Sequence, residues 1–240
     1  MQMQGRAALI TGASRGLGLE IARAFAARGA KLVIAARGQE ALDAAAAELR
    51  ALTDVVALAV DVSEDAERLV EAGTQAFGRI DVLVNNASEL GPSPMPALAD
   101  YQWQALERVL RVNVLSPLHL AQLVLPGMKE HREGVIINVS SDAGVEAYPG
   151  WGGYGASKAA LEHVSRTLAA ELKGTGVRVY CVDPGDMNTE MHRLAEPGVD
   201  LSGLPRPEVA APAFVRLVED ETAPFARVKA QDLVASGSAA

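Results

Sequence analysis

Tyr154 and Lys158 are the two residues whose types and spacing best suit proton transfer. They lie four positions apart near the start of a predicted helix, so their side chains project from the same face. A tyrosine with a pKa near about 10 needs that pKa lowered by about 3 to serve as acid and base at neutral pH. An ammonium about 5 Å away supplies most of this change. The pairing alone is weak evidence, because Lys158 also fits an ordinary surface lysine.

Ser141 strengthens the case for chemistry around this pair. It follows the predicted strand Val135–Val139, and the carboxyl ends of strands form the ligand crevice of an open α/β sheet. Its hydroxyl could hold a carbonyl oxygen beside the tyrosine proton. The alternative is that Ser140 and Ser141 are only a polar exit from the strand.

The elements that must position these residues alternate between short apolar runs and longer helical stretches. The predicted strands are Ala7–Thr11, Lys31–Ala35, Val55–Val60, Asp81–Val84, Val135–Val139, Val177–Val182 and a weaker Ala226–Ala230. The predicted helices are Leu17–Arg28, Gln39–Ala51, Ala66–Phe77, Tyr101–Met128, Tyr154–Lys173 and Pro207–Glu219. Most strand candidates are apolar throughout, so both sheet faces must be covered. We therefore predict a single α/β domain over residues 1–240, with a doubly wound, mostly parallel, seven-stranded sheet.

The stretch from about residue 186 to 207 interrupts the alternation. It carries Pro197, Pro205 and Pro207 and has few strand signals. Long loops inside compact domains are more often functional or mobile than inert, so we predict a mobile substrate loop here. A surface connection without function is the alternative.

A glycine-rich turn follows the first predicted strand and leads into a helix. Its spacing brings main-chain N–H groups and the helix N-terminus towards a pyrophosphate. The cofactor-binding candidates in this turn are Gly12, Ser14, Arg15, Gly16, Leu17 and Gly18. A glycine-capped turn without a ligand is the alternative, but its place at the first strand–helix junction favours a dinucleotide.

The residues at the end of the second predicted strand indicate which dinucleotide binds. A carboxylate there would bond the ribose hydroxyls and repel a 2′-phosphate, but this chain has Ala36 followed by Arg37. Arg37 and Arg15 could together bind the 2′-phosphate. We therefore expect NADP(H) to be preferred over NAD(H), unless both arginines are merely solvated.

Composition narrows the remaining classes of function. The chain is 49% hydrophobic and 22% charged, with a net charge of −8, which opposes binding to nucleic acid or anionic membranes. It has no uninterrupted apolar run of about 18 residues, so we expect no membrane span. The lone Cys181 and an N-terminus without an apolar signal core make a cytoplasmic location the expectation. The four histidines do not cluster, so we expect no metal site.

Taken together, these residues resemble the short-chain dehydrogenase/reductase family in its form of roughly 250 residues, with a Rossmann fold. The motifs that carry the resemblance are Thr11-Gly12-x-x-x-Gly16-x-Gly18, Asn85-Asn86-Ala87, Asn113, Ser141, Tyr154-x-x-x-Lys158 and Pro184-Gly185-x-x-x-Thr189. The resemblance implies that Tyr154 donates the proton to a carbonyl being reduced and that Ser141 orients the carbonyl oxygen. It implies that Lys158 lowers the tyrosine pKa and binds the nicotinamide ribose, and that Asn113 supports a proton relay through water.

The resemblance also implies contacts with the cofactor. It implies that Asp61 and Val62 lie near the adenine, that Asn85 lies in the central sheet, and that Ala87 lies near the adenine ribose. Contacts with the nicotinamide carboxamide are implied for Pro184, Gly185, Met187 and Thr189. Structural alternatives stay open for two residues, since Asp61 could simply cap a helix and Asn113 could be a buried hydrogen-bonding residue.

Two departures from the family pattern matter. Ser88 stands where the family usually has glycine, so its hydroxyl could face the substrate. The C-terminal end lacks the paired-glycine segment that builds a tetramer interface in many members. By family analogy we expect a homodimer through the helices Tyr101–Met128 and Tyr154–Lys173, with a homotetramer as the alternative.

The resemblance leaves the substrate open. Met187, Met191, His192 and Leu194 could line an adaptable apolar pocket, with Tyr148 and Trp151 opposite. The leading hypothesis is an oxidoreductase acting on a small-molecule carbonyl or alcohol. The alternative is a regulatory or scaffold protein that binds NADP without turnover.

Overall fold

The computed structural model describes residues 1–237, in which seven strands form one parallel sheet in the order β3-β2-β1-β4-β5-β6-β7. The strands are β1 (Ala7–Thr11), β2 (Lys31–Ala36), β3 (Val55–Ala59), β4 (Val82–Asn85), β5 (Gly134–Val139), β6 (Val177–Asp183) and β7 (Phe225–Lys229). Their bounds agree with the sequence prediction to within one residue. The predicted doubly wound sheet is confirmed, and it is parallel throughout these strands.

Helices cover both faces of the sheet, as the apolar strands require. They are α1 (Gly16–Ala27), α2 (Gln39–Leu49), α3 (Ala66–Phe77), α4 (Trp103–Leu110), α5 (Ser116–Glu130), α6 (Gly152–Glu171), α7 (Glu190–Ala195), α8 (Ala211–Glu219) and α9 (Ala230–Gly237). On one face α1 and α8 bury Phe25 and Phe214, whereas on the other α3 and α5 bury Leu69 and Leu120. Neighbouring residues of a strand point to opposite faces, so Ile10 enters the first core and Leu9 the second.

The predicted helix Tyr101–Met128 is wrong in one respect, because it is not continuous α-helix. A π-helical segment, Arg111–Leu115, separates α4 from α5. The Ser116 hydroxyl and main-chain N–H both bond to the carbonyl of Arg111, which stabilises the wider turn. Such segments are frequent at functional sites, and this one contains Asn113.

The stretch Trp103–Glu130 is long and apolar enough to cross a membrane by length and composition, a possibility that the sequence analysis did not detect. More than half of its most apolar window is buried inside the protein. α5 contributes Leu120 and Leu125 to the core under the sheet, so it is buried in the way of a core helix.

Two helices lie where none was predicted. α7 occupies residues 190–195 of the predicted loop, and Thr189 caps it by accepting from the main-chain N–H of His192. α9 follows β7 directly and begins with the fully buried Ala230. The final three residues of the predicted domain, 238–240, lie outside the described part of the chain.

Candidate active site

A cavity of about 460 Å³ opens at the carboxyl ends of the central strands. On the side of the glycine-rich turn, the predicted residues that line it are Gly12, Ser14, Arg15, Gly16, Leu17, Arg37, Asp61, Val62 and Ala87. On the opposite side they are Ser88, Ser141, Trp151, Tyr154, Lys158, Pro184, Gly185, Met187, Thr189 and Met191. The candidates that do not line it are Gly18, Asn85, Asn113 and Tyr148.

Ser141, Tyr154 and Lys158 meet at the cavity, although Ser141 follows the end of β5 and the other two lie on α6. Tyr154 and Lys158 are both buried in the first turns of α6, with the Lys158 Nζ 5.3 Å from the centre of the tyrosine ring. The Lys158 Nζ also donates to the main-chain oxygen of Val139 at 2.8 Å. Trp151 meets the Tyr154 ring edge-on, at 5.9 Å between ring centres. The tyrosine ring is therefore fixed on two sides.

Burial governs the charges of this pair in the protein alone. It raises the pKa of Tyr154 well above its usual value, while the Ser88 and Ser141 hydroxyls act in the opposite direction. It lowers the pKa of Lys158 to about 8, against the opposing influence of Cys181 and Glu162. We expected Lys158 to lower the pKa of Tyr154. Desolvation is the largest influence on that pKa in the protein alone, so the hydroxyl retains its proton.

Ser141 is held at the exit of β5 in an extended conformation. Its hydroxyl donates to the Asp142 carboxylate at 3.0 Å and accepts from the Ala143 N–H at 3.2 Å. The same carboxylate accepts from the Tyr148 hydroxyl at 2.9 Å. Asp142 therefore links Ser141 to Tyr148, and sequence reasoning missed it although it directly follows Ser141.

Asn113 lies behind the cavity in the π-helical segment. Its side-chain amide donates to the Glu89 carbonyl at 2.8 Å and to the Ser157 hydroxyl at 2.9 Å. Its oxygen accepts from the Glu89 N–H at 2.7 Å and from the Ser88 hydroxyl at 3.2 Å. Because these bonds engage the side chain, a relay through Asn113 would use its main-chain carbonyl.

The glycine-rich turn packs against the end of β4 and leaves no room for a side chain at Gly12 or Gly18. A Cβ at Gly18 would meet the Gly12 oxygen at 2.4 Å, and one at Gly12 would meet Asn86 Nδ2 at 2.8 Å. Asn86 donates to the carbonyls of Thr11 and Gly12 at 2.9 and 3.1 Å, which locks the two loops together. Asn86 also lines the cavity, and its place in Asn85-Asn86-Ala87 was the available signal for it.

Asn85 lies beside the cavity and Asp61 lines it, and both side chains form hydrogen bonds within the protein. Asn85 is buried in β4 and donates to Asn138 Oδ1 at 2.7 Å across to β5. Burial raises the pKa of Asp61, but bonds from Ser63 and Arg108 prevail and lower it to about 2. Arg108 lines the cavity, and no sequence signal distinguished it from other helix arginines.

Arg15 and Arg37 both border the cavity and are both 66% exposed at the side chain. Arg15 pairs with Glu190 at the start of α7. Arg37 pairs more loosely with Glu89, at 3.4 Å. Both guanidinium groups are therefore accessible from the cavity, each with a carboxylate partner that an anionic ligand would have to replace.

The segment after β6 closes the cavity opposite the turn. Gly185 has a φ of +76°, and its N–H donates to the Asp183 carboxylate at 3.0 Å. Met191 packs with Trp151 and Met95 against a small buried cluster that includes Tyr154. The Ser93 hydroxyl donates to the Leu194 carbonyl at 2.6 Å, which ties α7 to the loop after β4. The wall beside Tyr154 is therefore apolar.

Metal chemistry finds no support in this arrangement. Within residues 1–237, no group of three or more His, Cys, Asp and Glu side chains could hold a metal ion. The positive charges at the cavity come from side chains of arginine and lysine.

Comparisons with known proteins place this geometry among enzymes of similar size. Residues 6–199 match the family model for short chain dehydrogenases. A 3-oxoacyl-(acyl-carrier-protein) reductase of Thermotoga maritima is 35% identical over 233 residues, which cover 92% of this chain and 94% of the relative.

Solved structures agree with the sequence relatives. A short chain dehydrogenase from Shigella flexneri superposes with a TM-score of 0.85 at 29% identity, covering 96% of this chain and 92% of the other. A metagenomic short-chain oxidoreductase in complex with NADP gives a TM-score of 0.80 at 29% identity, covering 95% of this chain and 99% of the other.

Proposed function

The chain belongs to the short-chain dehydrogenase/reductase family, and from this premise we propose that it is an NADP(H)-dependent oxidoreductase interconverting a carbonyl compound and an alcohol. The observation that carries the proposal is the convergence of Ser141, Tyr154 and Lys158 on the cavity that borders the glycine-rich turn. Proteins that only bind a nucleotide have no chemical need for these three side chains.

The turn fits a nicotinamide dinucleotide, the cofactor class of the family. Gly16 has a φ of +57°, and a Cβ there would meet nothing closer than Thr189 Cγ2 at 4.0 Å. The main chain at the start of α1 is therefore open to the cavity, where its N–H groups and dipole favour a phosphate. The finer preference for NADP(H) is supported by Arg15 and Arg37, because two guanidinium groups suit a 2′-phosphate.

When bound, the cofactor supplies or accepts a hydride at the substrate carbon. Tyr154 donates the proton from its hydroxyl to the carbonyl oxygen in the reductive direction, and burial keeps that hydroxyl protonated in the protein alone. Efficient transfer requires the pKa of Tyr154 to fall towards the working pH, and a positive charge beside the hydroxyl acts in that direction. The Ser141 hydroxyl bonds the same oxygen and holds it beside Tyr154. Lys158, protonated below about pH 8, keeps a positive charge next to the tyrosine when the proton leaves.

The removal of the Tyr154 hydroxyl tests this assignment. With a panel of apolar ketones, aldehydes and alcohols followed by nicotinamide absorbance, we expect Tyr154→Phe to lower kcat at least about 100-fold, because general acid catalysis contributes that much. We expect the dissociation constant of NADPH, measured by fluorescence, to stay within about twofold, since the cofactor's phosphates lie at the turn.

Tyr101→Phe is the matched control. The Tyr101 hydroxyl is buried without a hydrogen-bond partner among the described residues, so its removal breaks no bond. Full activity in Tyr154→Phe would contradict the proton-transfer role. NADPH binding by the parent without turnover of any panel member would favour the non-catalytic alternative.

The cofactor preference rests on Arg37 and has its own test. We expect Arg37→Asp to raise the KM for NADP about 10- to 100-fold relative to that for NAD, because a charge-assisted bond is replaced by repulsion. Arg68→Asp, the same charge change at an exposed position of α3, is the control. An unchanged ratio in Arg37→Asp would remove the argument for NADP.

The proposal extends to assembly and to the segment 186–207. A homodimer through the long helices is supported by Trp103 on α4 and Leu115 at the end of the π-helical segment, which are 68% and 57% exposed. A substrate loop at 186–207 that moves during turnover is supported by its place over the cavity and by the few main-chain bonds that anchor it.

A further inference from the structure

A buried ion pair lies directly behind the catalytic residues and belongs to no motif considered so far. Glu162 of α6 accepts two bonds from Arg227 Nε of β7, at 2.8 and 3.0 Å. The Ser140 hydroxyl donates to the same carboxylate at 2.5 Å. The Glu162 side chain is only 8% exposed. A carboxylate this deeply buried requires such partners, because desolvation is costly for an unpaired charge.

Arg227 extends this pair to Ser141. Its Nη2 donates to the main-chain oxygen of Ser141 at 3.2 Å. The same nitrogen lies 3.9 Å from the Asp183 carboxylate, which accepts from the N–H of Gly185. One guanidinium therefore contacts the exit of β5 and approaches the exit of β6, on either side of the nicotinamide end of the cavity.

Glu162 also acts on Lys158, which lies one helical turn before it on α6. The groups that influence the charge of Lys158 are Glu162 on its own helix and Cys181 on β6, both of which favour the protonated ammonium. Burial opposes them and brings the pKa of Lys158 to about 8. The removal of the Glu162 charge would lower this pKa further.

We propose that Glu162 and Arg227 are positioning residues that hold Ser141 against the helix carrying Tyr154 and Lys158. The inference rests on the proposed function. It gives the last strand of the sheet, which departs from the family pattern, a role in catalysis without contact with the substrate. It also explains why an arginine faces inward on an edge strand, where a solvated charge would be expected.

Glu162→Gln and Arg227→Met are the first test. We expect each to lower kcat about 10- to 100-fold, because a small displacement of a reacting group has effects of this size. KM for NADPH should stay within about twofold, since no phosphate contact changes. The loss of reductase activity at high pH should begin at a lower pH in Glu162→Gln than in the parent, because Lys158 loses its proton at a lower pH without the Glu162 charge.

The double variant Glu162→Gln, Arg227→Met separates positioning from stability. Replacing both partners of a buried pair by uncharged residues often restores stability. We expect the double variant to regain a melting temperature close to that of the parent while kcat stays at least about 10-fold lower. Recovery of both melting temperature and kcat would overturn the proposal, as would unchanged kcat and pH profile in the single variants.

Glu48→Gln is the matched control. Glu48 binds Arg23 through two bonds on the protein surface, remote from the cavity, so the same chemistry is removed without disturbing Ser141. We expect parent-like kcat and pH profile in this variant. A loss equal to that in Glu162→Gln would overturn the proposal, because ion-pair loss at any position would then suffice.

A measurement independent of turnover distinguishes failure of this inference from failure of the proposed function. The Gly144 N–H donates to the Ser141 oxygen at 3.1 Å, so its exchange with deuterium reports how firmly Ser141 is held. Mass spectrometry of a peptide spanning residues 139–146 should show at least about 10-fold faster exchange in Glu162→Gln than in Glu48→Gln. If the parent turns over no member of the panel, the proposed function fails. Equal exchange in the two variants would overturn the positioning role whether or not the parent shows turnover.

Discussion

Two walls of the same cavity are built by different means. The glycine-rich turn is fixed through its own main chain, because a Cβ at Gly12 or Gly18 would overlap its neighbours and the Asn86 side chain bonds to two main-chain carbonyls of the turn. The opposite wall, the segment 186–207, is held mainly by side chains, such as Ser93 on the Leu194 carbonyl and Arg15 on Glu190.

The difference follows from what each wall has to recognise. A diphosphate presents the same shape in every turnover, so a rigid main-chain cradle suits it. A substrate pocket gains specificity from side chains, and these can change without disturbing the sheet. Substitutions in the turn should therefore affect cofactor binding and stability together, whereas substitutions of the segment's residues that pack near Tyr154, such as Met191, should affect substrate use alone.

The largest effect is expected from Gly18→Ala. A Cβ at this position would overlap the Gly12 main-chain oxygen at 2.4 Å, and the backbone cannot yield. We expect the free energy of unfolding to fall by about 2 to 3 kcal/mol, as in other overpacked sites. Affinity for NADPH should fall about 100-fold or more, because the phosphate cradle is displaced.

Gly127→Ala in α5 is the control for this prediction, measured by urea unfolding and NADPH fluorescence. A Cβ there has open space around it, and the backbone is helical. Parent-like affinity and stability in Gly18→Ala would show that the turn is not rigid, and the contrast between the walls would then be lost.

A smaller effect is expected from Met191→Ala on the opposite wall. Met191 packs with Trp151 against the cluster containing Tyr154, so its loss opens the apolar side of the pocket. We expect kcat/KM for apolar carbonyls to fall about 5- to 10-fold, corresponding to roughly 1 kcal/mol of lost contact.

The volume-conserving Met191→Leu should retain most of this activity. The dissociation constant of NADPH should be the same in both Met191 variants as in the parent. Weaker cofactor binding in Met191→Ala would mean that the two walls do not act separately.

The smallest effect is expected at Asp61, which lines the cavity on the side of the glycine-rich turn. Burial raises its pKa, but Ser63 and Arg108 lower it to about 2, compared with an unfolded value of 3.8. As the pH falls, Asp61 therefore takes up its proton at a higher pH in the unfolded chain than in the folded protein. Asp61 stabilises the fold above pH 3.8 and loses this contribution as the pH falls towards 2. Allowing for solvent screening, we expect about 1 kcal/mol.

Urea unfolding of the parent and Asp61→Asn at several pH values measures this contribution. The parent should be more stable by about 1 kcal/mol at pH 6, and the gap should narrow as the pH approaches 3. A gap that is independent of pH would mean that the Asp61 charge does not stabilise the turn wall.

Sequence reasoning predicted the sheet well because its signals are local. The apolar runs such as Ile10 in β1 and Ile136 in β5 are buried on both faces, and the glycine spacing after β1 restricts the turn to few conformations. The position of Tyr154 and Lys158 in the first turns of α6 could be predicted for the same reason, since both lie on one helix.

Features that depend on contacts between distant residues could not be predicted. The π-helical segment around Asn113 has residues that fit ordinary α-helix, and its stability comes from bonds to the loop after β4. The rise in the pKa of Tyr154 comes mainly from burial, which depends on side chains that surround it from other elements. The sequence did not distinguish Arg227, because its partner Glu162 lies on another element.

The strand order has a consequence for how the protein is made. β1 precedes the other six strands along the chain but lies in the middle of the sheet, where Ala8 pairs with Val82 of β4 and Ala7 with Lys31 of β2. Every strand pair is parallel and joined by a crossover, so no hairpin can form early. Arg227 reaches Ser141 only after β7 has joined the edge. A chain lacking β7 would therefore keep the strand pairs around β1 but lack the bond from Arg227 to Ser141 at the edge of the cavity.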